Sequence, residues 1–279
     1  MPEIMNNMYD FTFKSITLDP NLKDFMCYIL HAITRIDYNE LIEGKFLNTY
    51  IPIKKKGDKV RVSDVILSTK NYIINIEANK DYYPGVFKKN NSYYQELLSR
   101  MYKQGQNYNL SKKVIQVNID DFSIPRIKLK KAVSKYVLKE LETNNKFIEN
   151  DIEKYYIDLK YLEKISRKKD FKNLSRLDRY LLIFKLTDEE EIERLVEEDE
   201  IMKKIFRKIR EMNEDEELIG AYVKEERDLM ELNTRLSSAE KTGYDKGIIE
   251  TAKKLIKNNV DINTVSKVTG LSKSKINSL

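Results

Sequence analysis

Residues 72–79 read Tyr72-Ile73-Ile74-Asn75-Ile76-Glu77-Ala78-Asn79. Tyr72, Ile74, Ile76 and Ala78 share one parity, and Glu77 and Asn79 share the other, so the stretch predicts a strand with one apolar face and one face bearing chemistry. Upstream, Lys59–Ser68 predicts a second strand containing Val60-Arg61-Val62-Ser63-Asp64-Val65-Ile66. Asp64 has the parity of Val60, Val62 and Ile66 and should point with them. A turn at Thr69-Lys70-Asn71 makes the two strands hairpin neighbours and sets Asp64 roughly opposite Glu77. Two facing carboxylates repel unless a cation lies between them, which suits a divalent metal acting on a phosphodiester. Spacing alone leaves a second reading open, an exposed Asp and an exposed Glu on a sheet rim.

Working outward, Leu47–Lys54 predicts a strand before the Lys56-Gly57-Asp58 turn. Asp19-Pro20 opens a helix over about 20–35, with Leu22, Phe25, Met26, Ile29, Leu30 and Ile33 on one stripe. Tyr83-Pro84-Gly85 breaks the chain before a helix carrying Phe87, Tyr94, Leu97, Leu98 and Met101. Lys113–Asp120 is apolar and β-branched, hence another strand. A helix between two strands implies a crossover onto one sheet. The order is α-β-β-β-α-β. Lys135–Thr143 and Ile152–Leu159 predict two more strands around Asn144-Asn145. The chain looks helical from Phe171, including the charged segment Asp188–Glu200, a helix over Ala239–Asn258, and two short helices at Ile262–Thr269 and Lys273–Asn277 around Gly270-Leu271-Ser272.

Composition narrows the chemistry. One cysteine, Cys27, excludes an internal disulfide and a cysteine-based zinc cluster, and one histidine, His31, excludes a histidine-rich metal site. Any metal should therefore be held by carboxylates, favouring Mg²⁺ or Mn²⁺. No apolar run reaches the ~20 residues of a membrane span, and the start has no signal layout, so the chain reads as cytoplasmic. Residues 1–140 hold 23 Lys and Arg against 15 Asp and Glu, a net +8, whereas 141–279 hold 28 against 30. A basic first half suits a polyanion, and Lys54, Lys55, Lys56, Lys88 and Lys89 are its candidate phosphate contacts. In a lysine-rich chain the excess is equally consistent with a solvated surface.

Asp64 followed by Glu77-Ala78-Asn79 resembles the PD-(D/E)XK nuclease motif, which lies on the second and third strands of an αβββαβ core. Several stretches resemble the Rpn branch of recombination-promoting nucleases, often labelled transposases. They are Asp24–Ile33, the Asn75-Ile76-Glu77 strand, the Ser92-Tyr93-Tyr94 helix with Gly105 and Tyr108 after it, Val114–Phe122, Ile157–Lys160 and Thr269–Ser272. The resemblance implies an α/β restriction-endonuclease-like core with a mostly helical C-terminal extension. It implies a nuclease-like domain over 1–165, a helical region over 166–238 and a tail over 239–279. It makes Asp64 and Glu77 ligands of Mg²⁺ or Mn²⁺ in an endonuclease acting on double-stranded DNA, of low sequence specificity and linked to recombination or mobile elements. Asn79 stands where the family carries Lys or Gln; it can orient water but brings no positive charge. Lys80 could substitute only if a bulge turned it inward. Nuclease cores of this type often add an acidic residue near the first helix, for which Asp37, Glu40 and Glu43 are available and Glu40 is preferred. Tyr93 and Gln95 lie on the helix after the motif, where a polar side chain can face the site. The Gly270 turn between short helices resembles a helix-turn-helix with Lys273 and Lys275 toward phosphates; an oligomerisation element is the other reading of the tail. A fold that has lost catalysis through Asn79 and persists as a DNA-binding or assembly module is the alternative function.

Overall fold

A computed structural model describes residues 4–51, 61–101, 107, 111–125, 131–146 and 152–279. The helices are α1 (Asp10–Thr17), α2 (Lys23–Thr34), α3 (Tyr38–Glu43), α4 (Val86–Met101), α5 (Leu159–Ser166), α6 (Arg176–Leu182), α7 (Glu189–Val196), α8 (Glu200–Glu214), α9 (Glu216–Lys257), α10 (Ile262–Thr269) and α11 (Lys273–Asn277). The strands are β1 (Lys45–Phe46), β2 (Tyr50–Ile51), β3 (Arg61–Val62), β4 (Val65–Ser68), β5 (Tyr72–Asn79), β6 (Lys113–Asp120), β7 (Val133–Val137) and β8 (Glu153–Asp158).

Six strands form one sheet in the order β1-β4-β5-β6-β8-β7. The β4–β5 hairpin is antiparallel and pairs Val65 with Ile76. Helix α4 then carries the chain across so that β6 runs parallel to β5, with Ile73 beside Val114 and Asn79 beside Asp120. Strand β8 continues the parallel set, and β7 closes it antiparallel. The expected strand over 59–68 is instead two pieces. Among its described residues, β3 pairs with β2 in a separate two-stranded sheet, and the backbone bends at Asp64 before β4 begins. Residues 52–60, with the Lys54–Lys56 cluster, and Gly105 and Tyr108 lie outside the described residues.

Because β5 and β6 sit mid-sheet, both faces are covered. One face buries Val65, Leu67, Ile74, Ile76, Val117 and Ile119 in the main core, against α2 through Phe25, Ile29 and Leu30. On the other, α4 lays Tyr94 and Leu97 over Ile66, Ile73 and Val114. That second cluster covers only the beginning of β5, leaving the face of its later residues to polar side chains.

The helices start where short polar side chains can accept backbone N–H groups. Asp19 accepts from Asn21 at 2.9 Å ahead of α2, and Asp188 accepts from Glu191 at 2.9 Å at α7. Arg35 ends α2 in the left-handed region, with φ of 68°. Asp199 caps α8 and also takes Arg176 Nε at 2.7 Å and the Tyr180 hydroxyl at 3.0 Å, tying α6 to α8. The acidic face of α7 is solvated while Ile192, Leu195 and Val196 turn inward. Tyr180, Phe184, Ile205 and Ile209 join the same core as the sheet. The expected boundary at residue 165 is therefore not a division of the fold, since α6–α8 share one apolar interior with the strands.

The chain divides into two compact units, 1–222 and 223–279. Helix α9 is one 42-residue helix, longer than the expected 239–258. In the second unit, Ala252, Val265 and Ile276 are buried together, packed by Leu255, Val260 and Leu271. Asp261 and Ser272 cap α10 and α11, and Gly270 ends α10 at φ of 72°. Among the described residues, no helix is long and apolar enough to cross a membrane.

The start of β8 carries a testable charge. Glu153 meets Lys113 at 2.8 Å and Lys135 at 2.6 Å and accepts the Tyr155 hydroxyl. Burial pushes its carboxyl up, but those hydrogen bonds outweigh burial and hold it down at about 2. A depressed pKa stabilises the fold above the unfolded value of about 4.3 and ceases to do so as pH falls through about 2. Glu153→Gln should lower stability at pH 7 by about 1–3 kcal/mol. Urea titrations should show the gap between variant and wild type closing between about pH 4.3 and 2; a constant gap would remove the charge from the explanation.

Candidate active site

Asn75, Glu77 and Asn79 leave β5 on the α4 side, where Gln116, Asn118 and Asp120 leave β6 beside them. All six are buried. Buried amides need partners, and here they supply one another. Asn75 Nδ2 donates to Gln116 Oε1 at 2.8 Å and to Glu77 Oε1 at 3.2 Å. Gln116 Nε2 donates to Asn118 Oδ1 at 3.0 Å, and Asn90 Nδ2 of α4 donates to the same oxygen at 2.9 Å. Asn118 Nδ2 reaches the Tyr155 carbonyl at 3.1 Å. This amide ladder fixes one oxygen of Glu77 from below.

Asp64 reaches the same place from the bend before β4. Continuing the β4–β5 register sets it opposite Glu77, and its Oδ2 accepts the Ala78 N–H at 2.7 Å. Burial raises both carboxyls, and the Asp64 charge is the second cause for Glu77. Glu77 Oε2 is buried with no hydrogen-bond partner; the Lys89 ammonium stands 3.7 Å from it. Burial pulls Lys89 down, but Glu77 and Asp64 outweigh it and raise its pKa, so the ammonium stays charged. Its aliphatic stem lets it reach inward from the first turns of α4 while its head remains partly solvated. Tyr93, one turn on, is also buried in this region, with Lys89 5.7 Å from its ring centre.

Asn79 Nδ2 donates to Asp120 Oδ1 at 2.8 Å. Burial pushes Asp120 up to about 7, and Asp158 adds to the rise. Asp10, the first residue of α1, also raises Asp64, while Lys14, 2.6 Å from Asp10, lowers it.

The structure thus gathers Asp64, Glu77, Asn79 and Tyr93 in one place. Within the first unit it does not bring the other sequence candidates there. Glu40 accepts Thr69 Oγ1 at 2.7 Å and the Asn71 N–H at 2.9 Å, bracing the β4–β5 turn. That turn lies about 20 Å along β5 from Glu77 at ~3.3 Å per residue. Gln95 is exposed on α4. Strand β5 has no bulge, and Lys80 places its ammonium 3.3 Å from the centre of the Tyr9 ring. His31 Nδ1 pairs with the Ile36 carbonyl at 2.7 Å beyond α2. Lys88, Lys273 and Lys275 are exposed.

Three participants escape a reading by motif. Lys89 is visible as one of two lysines after Pro84-Gly85, but only the α4 packing turns it toward Glu77. Asp120 ends a strand recognised from its apolar run. Asp10 stands far upstream and meets the site through the fold alone. In each case the signal is spatial.

A family model described as PD-(D/E)XK nuclease family transposase matches residues 7–239. The chain belongs to this family. No curated protein and no solved structure matches it. Within a PD-(D/E)XK nuclease family transposase, a six-stranded mixed sheet with helices on both faces and a helical C-terminal part is the expected α/β architecture.

A divalent cation suits this donor set. Asp64 and Glu77 are hard oxygen ligands, the Asp64 charge adds to burial in raising Glu77, and Glu77 keeps a buried oxygen without a hydrogen bond. Among the described residues, no third Asp, Glu, His or Cys converges with them, so water or substrate oxygens would complete the shell. Burial and Asp64 push Glu77 up to about 8, so above that pH both carboxyls are charged, and neutralising one there should help the metal-free fold by removing a buried like-charge repulsion. Above pH 8, Glu77→Gln is expected to raise the metal-free melting temperature and to abolish further stabilisation by millimolar Mg²⁺ or Mn²⁺. Calorimetry in EDTA and in each metal checks both; a variant less stable in EDTA but still stabilised by metal would contradict the assignment.

Proposed function

We propose that this nuclease-family chain is a divalent-metal-dependent DNA endonuclease working at Asp64 and Glu77. The observation that carries the reading is the buried carboxylate pair faced by the Lys89 ammonium. Mg²⁺ or Mn²⁺ held by Asp64 and Glu77 would supply Lewis-acid charge and lower the pKa of a bound water.

The protein's own groups have separable tasks. The Ala78 N–H aims Asp64, and Asn75 aims Glu77. Asn79 and Asp120 form an oriented pair that can align an attacking water at the ends of β5 and β6. Lys89 supplies the positive charge that Asn79 lacks, arriving from α4 instead of β5, and stabilises negative charge developing on phosphate oxygens. Tyr93 borders the same space. Lys88, exposed next to Lys89, would meet the backbone of double-stranded DNA, and contacts of this kind carry little sequence information. A part in recombination or mobile-element biology belongs to the same proposal and is supported only by the family description.

Supercoiled plasmid should be nicked in Mg²⁺ or Mn²⁺ and remain intact in EDTA. Asp64→Ala and Glu77→Ala should abolish nicking, and Lys89→Met should slow it by roughly 10²–10³. Adding Asn79→Lys to Lys89→Met should restore part of the rate, because it returns an ammonium to the same space. If clean wild-type protein binds plasmid without cleaving it in either metal, the fold acts as a binding module.

A further inference from the structure

The match to the family ends at residue 239, so the α10–α11 tail lies beyond it. The last 29 residues, 251–279, carry six lysines and one acidic residue, Asp261, a net +5, when the whole chain is only +6. The preceding stretch, 141–250, carries 22 Lys and Arg against 29 Asp and Glu, a net −7. The tail thus reverses the sign of the acidic stretch that precedes it.

All six lysines, Lys253, Lys254, Lys257, Lys267, Lys273 and Lys275, are exposed. The helices that bear them are fixed to one another. Ala252 of α9, Val265 of α10 and Ile276 of α11 are fully or almost fully buried together. The turn between α10 and α11 is held by Gly270 at φ of 72° and by Ser266 Oγ donating to the Leu271 carbonyl at 2.7 Å. Asp261 caps α10, taking the Thr264 N–H at 3.1 Å and its hydroxyl, so the one acidic group is engaged within the backbone turn. A tri-helical unit that commits its apolar residues to a small core and keeps its cations outside is built to present charge in a fixed arrangement.

We infer that the end of α9 with α10 and α11 is a second DNA-binding surface, for the phosphate backbone of a duplex, separate from the carboxylate site. The partner is chosen on charge complementarity: a duplex offers one negative charge per ~1.7 Å of axis, a dense linear match for clustered lysines. The inference does not depend on the carboxylate site being an active nuclease, because it concerns binding alone.

The test uses the full-length chain with Glu77→Gln, so that DNA is not cut, and fluorescence anisotropy with a labelled 30-base-pair duplex. The tail variant is Lys267→Glu/Lys273→Glu/Lys275→Glu. A control with the same change of charge, Lys224→Glu/Lys241→Glu/Lys246→Glu, alters exposed lysines on α9. The tail variant should weaken binding at least tenfold near 100 mM salt. It should also reduce the slope of log affinity against log salt by about 2–3, at ~0.9 for each phosphate no longer neutralised. The control should change affinity much less. Equal losses in both variants, or no loss in the tail variant, would overturn the inference. So would an unchanged DNA affinity accompanied by a fall in solution mass, which would assign the lysines to pairing between copies. Since a charge reversal could unfold the small core, Lys→Gln at the same three positions is measured alongside; it should lower the slope in the same direction with an unchanged circular dichroism spectrum.

Discussion

Strand β5 is enclosed on both faces, and one of those faces carries Asn75, Glu77 and Asn79. That constraint organises the molecule. A central strand has no solvent in which to leave polar groups, so each must be met by a neighbour. Parallel β6 answers with Gln116, Asn118 and Asp120, in register, and α4 answers with Asn90 and Lys89. The crossover that places β6 beside β5 also brings α4 over the polar half of the strand. Without that connection Glu77 would be a buried charge with no counter-charge, a costly arrangement.

The two halves of the α4-facing sheet surface have different tasks. At the start of β5, Ile66, Ile73 and Val114 bury against Tyr94 and Leu97, which anchors the helix. Toward the end, hydrogen-bonded amides replace apolar packing. The amide ladder restricts Glu77 on one oxygen and leaves the other next to a cation. The result is a carboxylate held in position yet still unsatisfied, the condition under which a ligand adds most to stability.

Much of this is readable in the chain. Strands β5 and β6 and the tail helices have the bounds that alternation and capping residues predict, because each is decided by local pattern. The broken 59–68 segment is not, since nothing in Val62-Ser63-Asp64-Val65 reports that the chain bends to send β3 to another sheet. Periodicity reveals helix α9 only over its last half, because residues 223–247 are largely exposed and carry no buried stripe to give a period. Asp64 and Glu77 stand out as carboxylates in strands whose other residues are mostly apolar. Glu40 draws attention through nearness in sequence to the first helices, but the β4–β5 turn takes both its oxygens. Lys89 and Asp10 acquire their place from tertiary packing, which periodicity does not encode.

The lysine on α4 has a further consequence. Strand side chains are locked to a ladder of backbone hydrogen bonds, but a helix lying on a sheet can slide or roll as a body at lower cost. Rolling α4 by one residue's worth of rotation, about 100°, would carry Lys89 away from Glu77 while leaving both carboxylates where they are. The acidic and basic halves of the site therefore belong to different elements, the sheet and the helix packed on it. Their separation is governed by how Tyr94 and Leu97 seat in the sheet, several ångströms from any reacting atom. Small changes in that apolar seat, even the loss of one methyl group, would register as changes in electrostatics.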